Sequence, residues 1–167
     1  MTPEDLIRLL KLEPLQPEGG FYRETYRSSD LLPEESLPPR YRGARSMGTA
    51  IYYVITPEHF STLHRLQSDE VFHFYLGDPV EMLLIFADGN TETRILGQDL
   101  EKGQHLHACV PMQVWQGARL VEGGSFALLG TTVAPGFDPS DFELGDRGNL
   151  IQCFPHVAGL ISIFTHP

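Results

Sequence analysis

From Thr49 to Val133 the chain is a succession of short β-branched, aromatic and aliphatic runs, each closed by glycine, proline or a polar turn. Runs at 49–55, 61–66, 71–76, 80–86, 91–96, 104–110, 114–121 and 126–133 read as strands. Pro57 stops the first of them, and Asp88-Gly89-Asn90 between two of them is a hairpin turn. Another run, Phe21 to Tyr26, follows the Gly19-Gly20 turn. Many short strands at regular spacing predict a β-sandwich or barrel.

Helical signals are confined to the start. Thr2 can cap a helix over about 2–12, Pro3 suits its first position, and Glu4 and Asp5 favour the positive end of its dipole. Leu6, Leu9 and Leu10 recur at helical spacing. Residues 28–43 carry Pro33, Pro38 and Pro39 and read as a mobile surface loop. After Pro135-Gly136 the chain reads as a covering segment, with helical turns at 139–144 and an apolar stretch at 160–164. The predicted organisation is one domain over 1–167: a helix at about 2–12, a barrel at about 20–135 and a cover at about 136–167.

The net charge of −10 argues against nucleic acid or an anionic membrane as partner, because phosphate-rich surfaces need a basic patch. Arg40, Arg42 and Arg45 are too sparse to make one. No apolar run approaches the ~20 residues that span a bilayer. Cys109 and Cys153 form no CxxC pair, and no basic, then apolar leader is present. Free thiols and a cytoplasmic location are expected.

One stretch concentrates chemistry: His64-Arg-Leu66-Gln-Ser-Asp-Glu70-Val-Phe-His73-Phe-Tyr75-Leu-Gly77. His64, Glu70 and Gly77 fall at the spacings of the first cupin motif, which this stretch resembles; Leu66 stands where that motif has its second histidine. Pro111-Met-Gln113-Val-Trp115-Gln116 resembles the second cupin motif, with Gln113 for its glycine and Gln116 for its histidine. Two of four usual metal-binding positions, His64 and Glu70, therefore keep donors of the usual kind.

The wider chain resembles the DUF985, or "cupin 5", branch of the cupins through Pro17-Glu-Gly-Gly-Phe-Tyr22-Arg-Glu24-Thr, Leu96-Gly-Gln-Asp-Leu100 and Val133-Ala-Pro-Gly-Phe137-Asp-Pro-Ser-Asp-Phe142. The resemblance implies a mainly β fold, a double-stranded β-helix or jelly-roll barrel, and a homodimer. It also implies similarity to sugar-nucleotide epimerases that use such a barrel without metal.

Three readings of His64 and Glu70 stay open: ligands of a divalent metal, a metal-free acid–base pair, or a satisfied polar pair. No cofactor is the expectation that best suits the two replaced ligand positions. In a metal-independent isomerase or epimerase acting on a carbohydrate-like or nucleotide-sugar ligand, His64 would abstract a proton, Glu70 would orient it and Tyr22 would return a proton. A small-ligand-binding cupin without catalysis would use the same pocket. Arg23 offers a fork for carboxylate or phosphate, with Glu24 beside it. Phe72, Phe74, His107, Trp115 and Gln116 are the remaining candidate ligand contacts. Strand alternation places His73 on the face opposite Glu70.

Overall fold

The computed structural model describes residues 1–166. A short helix, α1 (Pro3–Leu10), opens the chain. Thr2 caps it, with the Thr2 side chain accepting from the Asp5 N–H and the Asp5 carboxylate accepting in return. Thirteen strands follow among the described residues: β1 (Glu13–Pro14), β2 (Phe21–Arg27), β3 (Leu31–Leu32), β4 (Arg45–Ser46), β5 (Thr49–Ile55), β6 (Ser61–Leu66), β7 (Asp69–Gly77), β8 (Val80–Ile85), β9 (Thr91–Leu96), β10 (His107–Val110), β11 (Trp115–Leu120), β12 (Ala127–Ala134) and β13 (Phe142–Leu144). Two helices, α2 (Arg147–Cys153) and α3 (Ala158–Ile163), close the chain.

The strands form a six-stranded sheet in the order β1-β2-β5-β12-β7-β10 and a five-stranded sheet in the order β13-β6-β11-β8-β9. The pairings within both sheets are antiparallel. β3 and β4 make a separate pair. This is the expected mainly β, cupin-type sandwich with a short N-terminal helix.

Alternation along the strands sorts side chains into three apolar clusters. Phe72 and Phe74 of β7, Leu84 of β8 and Leu129 of β12 meet between the sheets. Leu63, Ile85 and Trp115 project from the back of the five-stranded sheet and are covered by Leu150, Ile161 and Phe164. Leu6 and Leu12 cover Val54 and Leu128 on the outer face of the six-stranded sheet. Each fully buried Leu or Ile contributes about 1.5–3 kcal/mol.

Residues 28–43 are tied down rather than loose. Tyr41 is buried; its hydroxyl donates to the Gln67 carbonyl and pairs with Ser68 Oγ at 2.8 Å. Arg40 Nε donates to the same Gln67 carbonyl. The expected helical turns at 139–144 resolve into one 3-10 turn, Pro139–Asp141, followed by β13.

Candidate functional site

A cavity of about 430 Å³ opens at one end of the sandwich. Its polar floor is drawn from both sheets. His64 comes from β6 and stands directly across from Gln116 of β11. Glu70 comes from the start of β7 and receives a 2.8 Å hydrogen bond from Gln116 Nε2. The fourth member is Glu18, in the turn before β2. That turn is tight: a side chain at Gly19 (φ 111°) would run into the Phe60 carbonyl, and one at Gly20 (φ 74°) would strike the Tyr53 ring. Both positions therefore favour glycine on backbone and steric grounds. Ser61 Oγ donates to Glu18 Oε1 at 2.7 Å and holds the carboxylate toward the cavity.

His64 is 2 % exposed. Its Nδ1 lies 2.8 Å from the Thr62 carbonyl oxygen. A carbonyl only accepts, so Nδ1 carries the hydrogen and Nε2 is the free end. Nε2 looks toward Glu18 Oε2 at 3.8 Å and Glu70 Oε2 at 4.0 Å, beyond hydrogen-bond range of either. Phe142 stacks on the imidazole with centroids 5.2 Å apart. Burial works against the charged ring, but the carboxylates of Glu18 and Glu70 outweigh it and lift the His64 pKa to about 9. His64 is accordingly an imidazolium at neutral pH. Burial pushes the Glu18 carboxyl upward; the charge of His64 pulls it back and that of Glu70 adds to the rise.

Tyr22 and Glu24 line the cavity. Arg23 does not: it is exposed on the outer face, its guanidinium 5.8 Å from the Tyr52 ring centroid. The cation that reaches the cavity is Arg27, which grips Glu24 through two hydrogen bonds of 2.9 and 2.8 Å and donates to the Phe137 carbonyl. A register shift between Glu24 and Tyr26 inserts one residue and turns Arg27 inward.

The other sequence candidates fall elsewhere. Phe72 and Phe74 face inward but lie in the sandwich core rather than in the cavity wall. Trp115 necessarily faces away from its neighbour Gln116; it packs beneath α2 and α3, with Arg65 4.5 Å over its ring. His107 is exposed on the outer face of β10, opposite His73 in register. His73 bonds Thr132 Oγ1 instead of joining the site. Glu18 and Arg27 were missed. Both lie inside the branch-specific segment that starts at Pro17 or just beyond it, but only the folded turn and the bulge reveal which way they point.

The donors present do not fit a metal held in the usual cupin way. Leu66 brings no donor and lines the cavity as an apolar wall. Gln116 donates its amide N–H to Glu70, leaving the neutral Oε1 without a partner, and His64 is free at Nε2. Among the described residues, no three His, Cys, Asp or Glu side chains converge in metal-binding geometry. Cys109 and Cys153 are free and exposed. No helix among the described residues is long and apolar enough to cross a membrane.

The family described as Cupin superfamily (DUF985) matches residues 4–145. A hypothetical protein from Leishmania major superposes with a TM-score of 0.90 at 31% identity, each chain covered in full. A protein from Shewanella oneidensis gives 0.88 at 30% identity, with 100% of this chain and 99% of that one covered. An uncharacterized protein of Saccharomyces cerevisiae is 26% identical over 132 residues, 74% of this chain and 66% of the yeast protein, just under two thirds of its length. Oxalate decarboxylase from Bacillus subtilis shares the fold alone, with a TM-score of 0.55 at 12% identity over 93% of this chain and 37% of that one. On the family match over residues 4–145 and its agreement with the fold, this chain belongs to the cupin superfamily, in the family designated DUF985.

Proposed function

We propose that this cupin is a small-molecule isomerase that moves a proton without a metal, with His64 as the acid and Glu18 as the base. The observation that carries the reading is the geometry around His64 Nε2. A buried N–H faces the cavity, and the two carboxylate oxygens nearest to it stand 3.8 and 4.0 Å away, beyond hydrogen-bond range, so the N–H is free to meet a ligand oxygen. The roles differ from a His base oriented by a Glu, because an imidazolium has no free electron pair to take a proton.

The ligand class that suits this pair is a compact carbonyl compound with a hydroxyl on the neighbouring carbon. Glu18 takes the proton from the hydroxyl-bearing carbon. The electron pair moves to the carbonyl oxygen, which takes the Nε2 proton of His64 and leaves an enediol. Glu18 then returns its proton to the former carbonyl carbon, and the other hydroxyl returns a proton to His64. Both groups end as they began. Glu70, held by Gln116, keeps the imidazolium in place, and Tyr22 lines the cavity wall.

Deuterium incorporation tests this. A panel of hydroxycarbonyl compounds incubated in D₂O should show exchange at the carbon beside the carbonyl with the wild type. His64→Gln and Glu18→Gln, both folded, should lose it by about 10²–10⁴-fold, the range for a positioned acid or base. Equal exchange in either variant would refute the assigned roles.

A further inference from the structure

We infer that the cavity selects a small organic cation, an amine or protonated nitrogen base on an apolar body, and rejects phosphates and carboxylates. The inference rests on the reading of this cavity as a ligand site and adds the charge of what enters it.

The charges around the cavity can be counted. Glu18, Glu24 and Glu70 are acidic; His64 and Arg27 are basic. Arg27 is spent on Glu24, with two hydrogen bonds, and on the Phe137 carbonyl. His64 offsets one of the two carboxylates that flank it. The three carboxyl groups of the lining outnumber its two basic groups by one, and Gln116 offers Glu70 a neutral amide rather than a cation. A monocation completes this set; an anion adds to the excess.

Two further observations bear on what enters the cavity. His64 is nearly fully buried, lines the cavity and has no hydrogen bond at Nε2 from any described residue, so its N–H is left for an acceptor, an oxygen that the ligand carries beside its cationic nitrogen. The walls include the rings of Tyr22, Phe137 and Phe142. Aromatic faces carry negative potential and attract ammonium groups. Outside the cavity, the net charge of −10 draws cations toward the protein and repels anions. The two phosphates of a nucleotide sugar would meet no free Arg or Lys among the described residues of the lining.

Four probes of one skeleton separate charge from shape: benzylamine, benzyl alcohol, benzoate and benzyl phosphate. Binding is read by thermal shift and by the imidazole resonances of His64 in NMR. The expected order is benzylamine well above benzyl alcohol, with no response to benzoate or benzyl phosphate. Glu70→Gln should bring benzylamine down to the level of the alcohol, roughly a tenfold loss for one removed charge. If that variant does not fold, addition of NaCl to the wild type serves instead, and the preference for benzylamine over benzyl alcohol should narrow as salt rises. Equal or tighter binding of benzoate or benzyl phosphate overturns the inference while leaving a ligand cavity. Failure of all four to move the His64 resonances overturns it and removes support for the ligand site as well.

Discussion

Arg45 and Asp141, 96 residues apart in the chain, form a two-pronged buried ion pair in which Nε and one Nη each lie 2.7 Å from a carboxylate oxygen. The remaining Arg45 donors reach the carbonyls of Arg42, Gly43 and Ala44 and the Ser140 hydroxyl. The pair thereby clamps the 42–46 segment to the 138–141 turn, from which Pro139 and Phe142 reach the cavity wall. Lysine cannot reproduce a planar fork. Asp141→Ala should cost about 3–5 kcal/mol, because it leaves a buried guanidinium unpaired. Denaturant unfolding checks the value, and Arg45→Lys should fall between the two proteins.

Stability should decline from neutral to alkaline pH, and His64 sets the window. Its pKa is raised from 6.5 to about 9 in the folded protein. The stabilisation from its charge is fully present below 6.5 and is lost as pH climbs through about 9. Glu18, also raised, acts in the same direction, since the folded state holds its proton longer. The melting temperature should therefore fall between about pH 6.5 and 9.5, and His64→Gln should flatten that slope. An equal slope in the variant would contradict the assignment.

Leu66 and Gln116 stand where two cupin metal ligands would be, Leu66 on the cavity wall and Gln116 across from His64. The double change Leu66→His, Gln116→His restores four donors on one interior face. Elemental analysis after dialysis against Mn²⁺, Ni²⁺ or Zn²⁺ should give about one ion per chain in the variant and far less in the wild type, as expected when donors rise to the number an open site needs.

Leu84 is fully buried between the sheets, in the same cluster as Phe72 and Phe74. Leu84→Ala should cost about 2–5 kcal/mol through lost burial and the cavity left behind. Because Leu84 is not part of the cavity lining, binding at His64 should persist in the folded fraction. Denaturant titration and ligand titration on the same sample separate the two effects.

The strands most legible in the sequence are those whose alternation runs between clear breakers. The runs at 49–55, 61–66 and 91–96 recur in the fold with unchanged bounds. Two- and three-residue strands such as β1, β3 and β13 carry no internal pattern, because so few residues cannot show an alternation. α2 was equally hidden: only Asp146, whose side chain accepts from the Asn149 N–H, marks its start.

The site was half legible. His64, Glu70 and Gln116 came from motif spacing and do meet. Trp115 illustrates the opposite error, since adjacent strand residues must face opposite sides. Arg23 was the expected cation, whereas a single bulge after Glu24 brings Arg27 to the cavity instead. Glu18 depends on a turn folding back against Ser61, a contact across 43 residues that no local pattern announces.

The residue before His64 is held in an unusual place. The Leu63 N–H donates to the Phe164 carbonyl at 2.8 Å, and the Leu63 carbonyl accepts from the Gly145 N–H at 2.7 Å. Both backbone groups of Leu63 are thus taken by the C-terminal segment. Gly145 and Phe164 do not line the cavity, yet a change at either reaches the imidazole through the backbone of the residue next to it.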